Sequence, residues 1–332
     1  MNNIEATFSK FLQAVNILQT ALNVPMASAV TETFDNLENG KIKVEMGAPD
    51  VETVKKLSQA YEQLDYENLS KNKKYLIFTL LTLKAINDDG RDYSQMPTPQ
   101  ILATVISLMF DKLISKSDIT IGDPALGTGS LLYNVVNQLV ASHHSQNNYH
   151  LVGIDNDEAM LDLADVGAHL NGFKIDLYCQ DALESWMVEK PEVILSDLPV
   201  GYYPIDENAK NFATHAKEGH SLAHELFVEQ VIKNLAPDGY AFLLVPNSLI
   251  SGKLGSEFMP WLAKKVHLRS IVQLPNDLFT NPLNQKSLMV FQNHGTNSKN
   301  GEILLTKLDS LKKEKSLFDF SQKLNEWYNK TR

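Results

Sequence analysis

The sequence predicts an α/β protein in which a helical domain precedes a doubly wound, mostly parallel sheet of seven strands. Three observations predict it. Short apolar runs rich in β-branched residues alternate with stretches of helical period through residues 96–295. The first of these runs ends in a glycine turn that feeds a helix-like stretch. Residues 1–95 carry helical period alone, and the 296–332 tail reads as helical.

Within residues 1–95, Phe8, Phe11, Leu12, Val15, Leu18 and Leu22 fall three and four apart, as do Val51, Val54, Leu57, Tyr61 and Leu64. Such spacing lines one face of a helix with apolar groups. Asn39-Gly40 and Gly47-Ala48-Pro49 break the region into pieces. The strand-like runs then follow as Ile119 to Gly122, Tyr149 to Ile154, Ile175 to Cys179, Glu192 to Leu195, Tyr240 to Val245, Ile271 to Leu274 and Leu288 to Phe291. Between them lie helical stretches from Glu158 to Leu170, through Leu222, Leu226, Ile232 and Leu235, and from Ser256 to Lys265.

The stretch ITIGDPALGTGSLL, from Ile119 to Leu132, is a strand-loop-helix junction suited to a nucleotide-like ligand. Glycine at 127 and 129 lets a ligand approach the backbone. A dinucleotide fingerprint needs a third glycine where Leu132 stands, and a P-loop needs lysine where Thr128 stands. Both phosphate readings therefore weaken. Asp123 would repel a pyrophosphate but suits an amino group or a sulfonium cation, and S-adenosylmethionine carries both. Asp155 ends the second strand, where a carboxylate can accept from two ribose hydroxyls. Asp181 follows the third strand and can accept from an adenine amino group. Ligands of open parallel sheets bind outside the carboxyl ends of the strands, so these acids are expected to share one crevice. The alternative is that each acid caps the helix after it.

The fourth strand runs into SDLPVGYYP, from Ser196 to Pro204. With Thr98-Pro99 ahead of DPALGTGS, and HELFVEQVIKNLAPDGYAFLLVPNSLI and SIVQLPNDLF behind, the order resembles adenine-specific N6 DNA methyltransferases, most closely the modification subunits of type I restriction systems. The resemblance covers roughly residues 95–293 and implies a class I S-adenosylmethionine-dependent methyltransferase sheet, Rossmann-like in form. It also implies roles. Thr98, Pro99 and the loop Asp123, Pro124, Ala125, Gly127, Thr128 and Gly129 would line the methionine end of the cofactor. Asp155 with Asn156 would hold the ribose, Asp181 with Ala182 the adenine, and Asp197 would stand between cofactor and target amine. The catalytic set is then Asp197, Leu198, Pro199, Tyr202 and Tyr203, because an exocyclic amine is a poor nucleophile whose N–H groups need acceptors, one from Asp197 and one from the Leu198 carbonyl.

Two departures matter. The family tetrapeptide is usually Asn or Asp, Pro, Pro, aromatic, whereas this chain has Asp197-Leu198-Pro199-Val200. Val200 removes a ring that would stack on an extruded base, worth about 1–3 kcal/mol. Tyr202 or Tyr203 stands in for it, or both tyrosines pack the loop onto the sheet. The expected reaction is methyl transfer to N6 of adenine in DNA; the alternatives are an RNA or protein acceptor, or a cofactor- and partner-binding protein without catalysis.

Charge and composition bound the remainder. Lys+Arg against Asp+Glu is 10 against 13 over residues 1–99, 7 against 20 over 100–250 and 13 against 7 over 251–332. A chain that gripped DNA alone would need a continuous basic surface. The candidates are Lys264, Lys265, Arg269, Lys312, Lys313 and Lys315, each of which also fits a solvated helix face. The residues after Asn293 are too few for a target-recognition domain, so a separate specificity subunit is expected. The helical domain is its candidate contact, or else covers the sheet or forms a homodimer. No apolar run spans a bilayer, no export pattern opens the chain, and the single cysteine, Cys179, is expected as a buried thiol, all of which fits a cytoplasmic protein. His220 and His224 lie four apart on an expected helix without further ligands nearby, so no metal is expected. His143-His144 reads as an exposed polar loop.

Overall fold

The computed structural model describes residues 2–91, 95–142, 148–279, 285–311 and 313–331. Among them the elements run α1 (Asn2–Leu22), α2 (Met26–Glu38), α3 (Val51–Glu62), α4 (Lys71–Asp88), α5 (Gln100–Leu113), β1 (Asp118–Asp123), α6 (Ser130–Ser142), β2 (Asn148–Asp155), α7 (Glu158–Asn171) and β3 (Ile175–Cys179). There follow β4 (Val193–Asp197), α8 (Asp206–Ala209), α9 (Ala223–Asn234), β5 (Tyr240–Pro246), α10 (Asn247–Ile250), α11 (Gly252–Lys265), β6 (Val266–Gln273), β7 (Lys286–Asn293), β8 (Leu304–Lys307) and α12 (Glu314–Thr331). His143-His144 and Lys312 lie outside the described residues. No helix among the described residues is long and apolar enough to cross a membrane.

The chain divides into two compact units. One takes Met1–Pro97 together with Gly127–Tyr133 and Asp157–Ile175. Its core packs Phe11 against Phe34 at 5.7 Å between ring centroids and Phe34 edge-on to Phe78 at 5.2 Å, each pair adding about 0.5–1.5 kcal/mol beyond burial. The apolar face of α7, through Met160, Leu163, Val166 and Leu170, belongs to this same core. Helix starts are secured from nearby and from afar. Asp50 caps α3 by accepting from the Thr53 amide at 2.7 Å. α2 follows Pro25 and lacks a side-chain cap of its own; Asp89 supplies one by accepting from the Met26 and Ala27 amides at 2.7 and 2.9 Å. Asp157 begins α7 and is held by Arg91 and, at 3.0 Å, by Gln95.

The other unit takes Thr98–Leu126, Asn134–Asn156 and Asp176–Arg332. Its sheet has the order β3-β2-β1-β4-β5-β7-β6-β8. β2, β1, β4 and β5 run parallel in sequence across the sheet, and β7 is antiparallel to both its neighbours. The expected doubly wound, mostly parallel sheet is present, with eight strands in place of seven. The added strand, β8, pairs parallel with β6 and lies inside the segment expected to be wholly helical. Its sequence, LLTK, is too short to raise a strand signal by itself, and pairing with β6 supplies what propensity does not.

The central strands β4 and β5 are buried almost throughout, as their unbroken apolar runs require of strands covered on both faces. Ile194, Leu226, Val231, Leu243 and Phe291 meet in the core there. Cys179 corrects an expectation: its side chain is exposed. It ends β3, an edge strand whose two faces are only partly covered. The strand order reverses between β1 and β4, which places a topological switch point beside the ends of both strands.

Candidate active site

The register of the parallel strands brings four acids to one edge of the sheet. Asp123 closes β1 level with Gly153 of β2, Asp155 ends β2, and Asp197 ends β4 level with Leu244 of β5. Asp181 lies two residues beyond β3, and the intervening Gln180 amide donates to the Asp155 carbonyl at 3.0 Å. The acids therefore rim a common edge rather than scattering.

They are not equivalent. Asp123 is 3 % exposed, and its Oδ1 accepts from the Ser196 hydroxyl at 2.7 Å and from the Ala125 amide at 3.0 Å. Burial pushes its carboxyl up to about 7 against the pull of those two donors, and the charges of Asp155 and Asp197 add to the rise. Asp123 is thus a closed-in strut of the loop, where the sequence leads one to expect an open charge. Pro124 is buried beside it, Ala125 is half-buried, and the Leu126 amide ties the loop to the Ile154 carbonyl at 3.0 Å. Asp155 is half-buried and Asn156 exposed.

Asp181 accepts from the Leu183 amide at 2.9 Å and from the Tyr203 hydroxyl. Tyr203 also accepts from Asn208 at 2.8 Å, and burial together with the Asp181 carboxylate pushes its phenol up to about 12. The Ala182 carbonyl is committed to Trp186 at 2.7 Å and Gln230 at 2.9 Å. The two tyrosines therefore separate. Tyr203 is 6 % exposed and fastens the loop, whereas Tyr202 is 70 % exposed with its ring 6.1 Å from that of His220. Val200, 43 % exposed, stands close by in sequence.

Asp197 has both carboxylate oxygens engaged. Its Oδ2 accepts from the Thr98 hydroxyl at 3.0 Å, and its Oδ1 accepts from the Lys286 ammonium. The same Lys286 nitrogen lies 3.5 Å from the Leu198 carbonyl oxygen. Leu198 is fully buried and its amide donates to the Leu244 carbonyl at 3.1 Å, which fixes the strand end that carries this carbonyl. A carboxylate and a carbonyl thus meet at one amine nitrogen. His224, near the start of α9 and 2 % exposed, has neither ring nitrogen partnered among the described residues; burial, and then the Lys286 charge, push its imidazole down to about 4. Pro99 is exposed and Pro199 half-buried at the margins of this cluster.

The Gly127-Thr128-Gly129 turn follows β1 closely. Gly127 and Gly129 take φ of +54° and +71°, a region L-residues enter at a cost. A Cβ on Gly129 would meet the Tyr133 ring at 2.2 Å, while one on Gly127 would meet nothing within 4 Å. Space beside Gly127 is what a backbone-approaching ligand requires.

Sequence reasoning misses Ser196, Lys286 and the part played by His224. A lysine just before the apolar run SLMVF is the available signal for Lys286, since a strand end on this edge of the sheet aims a side chain at the site. The histidine pair also reads differently in three dimensions. α9 begins at Ala223, so His220 lies outside the helix, exposed and 3.0 Å from Asp206. No group of three or more metal-ligating side chains occurs among the described residues. Of the basic candidates, Lys264 and Lys265 are exposed in the last turn of α11, where cations complement the helix dipole. Arg269 donates to Gln292 within the sheet.

The model of the family described as N-6 DNA Methylase matches residues 68–330. The Bacillus subtilis (strain 168) protein YtxK is 32 % identical over 331 residues, covering 99 % of this chain and 98 % of that protein. A Listeria monocytogenes crystal structure assigned to the class I S-adenosylmethionine-dependent methyltransferases is 32 % identical, with a TM-score of 0.86 and 98 % of each chain covered. The Escherichia coli type I restriction enzyme EcoEI methylase subunit is 25 % identical over 214 residues, 59 % of this chain and 42 % of that subunit.

Proposed function

Because the chain belongs to the N-6 DNA methylase family, we propose that it transfers a methyl group from S-adenosylmethionine to an exocyclic amine, N6 of adenine in DNA. One observation carries this reading: the Asp197 carboxylate and the Leu198 carbonyl converge on a single amine nitrogen, here that of Lys286. An adenine amino group has two N–H donors and a lone pair drawn into the ring. Two acceptors on one side of it hold both hydrogens and favour a pyramidal nitrogen with its lone pair turned towards the electrophile. The strand end that bears the Leu198 carbonyl is fixed by the sheet, and Thr98 holds one oxygen of Asp197, so both acceptors are set before the amine arrives.

The strand-end residues fit the proposed methyl donor. Half-buried Asp155 can accept from ribose hydroxyls, and Asp181 can accept from an adenine amino group. A carboxylate-lined edge suits a sulfonium and would repel a pyrophosphate. When bound, this donor supplies an electrophilic methyl with a neutral sulfide as leaving group. Asp197 then stabilises the positive charge that develops on the amine, and its Thr98 hydrogen bond keeps it aimed. Tyr202 is the exposed ring that takes the place of the family aromatic at Val200, as a platform for the target base. We assign the N-terminal helices to a specificity subunit or a second copy, consistent with the acidic balance of residues 100–250.

The test is incubation with methyl-labelled donor and, in parallel, unmethylated DNA, total RNA and cell protein. Label should enter DNA, and Asp197→Ala should abolish transfer while calorimetric donor binding survives. Transfer retained by Asp197→Ala refutes the assigned role, and label in RNA or protein reassigns the acceptor. The second reading, donor binding without transfer, is favoured by Val200 and predicts binding heat with no label in any pool.

A further inference from the structure

The contact that supports the proposed reaction also obstructs it. In the chain as it stands, both Asp197 oxygens are engaged and the Leu198 carbonyl faces Lys286. We propose that Lys286 is an internal stand-in for the target amine, a latch that occupies the acceptor pair until a substrate amine displaces it. The proposal rests on the reading of Asp197 and Leu198 as amine acceptors. It names a positioning residue that sets acceptor affinity and specificity.

Three features carry it. The first is chemical identity: a primary ammonium is the side-chain group nearest in kind to an amino group, with donors for both acceptors at once. The second is how Lys286 is mounted. Its backbone opens β7, paired with Pro246, and its carbonyl accepts from the Leu274 amide at 3.4 Å. The neighbouring Gln285 carbonyl accepts from the Asn247 amide at 3.0 Å. Release of the pair therefore needs only rotation of a four-carbon stem, and the lysine and aspartate side chains, 18 % and 24 % exposed, leave that stem a route to solvent. The third is His224. An imidazole only 2 % exposed, with no partner on either nitrogen among the described residues, marks the cluster as incomplete without a ligand.

A latch of this kind discriminates. A weak amine offered alone competes poorly with a tethered ammonium, because the lysine is already held near the carboxylate and loses no translational freedom on binding. An amine carried by a larger ligand that binds elsewhere on the protein competes well. The acceptor pair is then reserved for amines presented on a scaffold, as on a nucleotide in a strand.

The experiment has two arms. In the first, methyl transfer to an unmethylated adenine-containing oligonucleotide is measured for the wild type, Lys286→Met and Lys286→Arg. The latch predicts that Lys286→Met lowers KM about fivefold, the factor for a modest competing ion pair, with no fall in kcat, and that Lys286→Arg raises KM. A Lys286→Met variant with raised KM, or with kcat reduced as in Asp197→Ala, overturns the proposal. The second arm needs no methyl transfer. n-Butylammonium should raise the melting temperature of Lys286→Ala, by refilling the acceptor pair, and leave the wild type and Lys286→Ala/Asp197→Asn unmoved. Failure to protect Lys286→Ala overturns the latch. Protection of Lys286→Ala with a Lys286→Met KM no lower than that of the wild type marks an ordinary ion pair and overturns the latch, whereas no transfer by any variant sinks the methyl-transfer reading on which the latch rests.

Discussion

Replacing Asp123 by asparagine should stabilise this protein, and increasingly so as the pH rises. The side chain is 3 % exposed and its carboxyl is pushed from 3.8 up to about 7 by burial, with Asp155 and Asp197 adding to the rise. In the unfolded chain the group ionises near 3.8. Between that pH and about 7 the folded protein holds a proton that the unfolded chain has lost, so stability falls as pH climbs through this window and stays low above it. At about 1.4 kcal/mol per pH unit, the shift at Asp123 costs the folded state about 4 kcal/mol above roughly pH 7 and roughly 1–2 kcal/mol at about pH 5. The asparagine is neutral in both states and keeps a carbonyl oxygen to accept from Ser196 and Ala125. Urea unfolding of wild type and Asp123→Asn across the range from about pH 4 to about pH 8 reads the difference, because groups that do not interact with Asp123 cancel. The variant should match the wild type at the acid end and exceed it by up to about 4 kcal/mol at the alkaline end. A difference that is flat with pH, or a wild type that is the more stable at the alkaline end, would refute the account of Asp123 as a buried, uncompensated acid.

The turn after β1 offers a paired comparison. Gly129→Ala puts a Cβ 2.2 Å from the Tyr133 ring at a φ of +71°, and overpacking plus left-handed strain should cost about 3 kcal/mol or more. Gly127→Ala meets open space at +54° and should cost only about 1–2 kcal/mol; equal melting losses for the two would contradict the geometry. The tyrosines make a second pair. Tyr203→Phe removes a hydroxyl that donates to Asp181 and should cost about 1.5–3 kcal/mol, whereas Tyr202→Ala, at an exposed ring, should leave the melting temperature almost unmoved and raise the KM for a nucleic-acid acceptor. The reverse pattern would exchange their roles.

What the sequence made legible was whatever repeats or is local. The strand from Ile175 to Cys179 stands where its apolar run puts it. Asp123, Asp155 and Asp197 close their strands because an acid after an unbroken run has nowhere else to go in a parallel sheet. The short strand Leu304–Lys307 was not legible, since its place is set only by pairing with β6. Nor was the membership of α7. Its periodic face reads as that of a helix beside the sheet, and only the assembled core reveals Met160, Leu163, Val166 and Leu170 packed with the N-terminal aromatics. Within the site, what escaped was contact between groups far apart along the chain: Ser196 on Asp123, Tyr203 on Asp181, and Lys286 on Asp197. Composition says that such groups exist and topology alone says which of them meet.

The same long-range contact links stability to function through charge. Asp123, Asp155 and Asp197 lie close enough for the last two to raise the carboxyl of the first. That repulsion is present whether or not a substrate is bound. Lys286 is the cation set against it, through Asp197. Removing the lysine would release the acceptors for an incoming amine and at the same time leave a half-buried carboxylate without its partner, a change that destabilises. Lys286→Met should therefore gain acceptor affinity and lose melting temperature together. A merely structural lysine would show the loss without the gain, and a lysine irrelevant to Asp197 would show neither. The sign of the two changes, read on one variant, separates an acceptor site held in reserve from an ordinary ion pair.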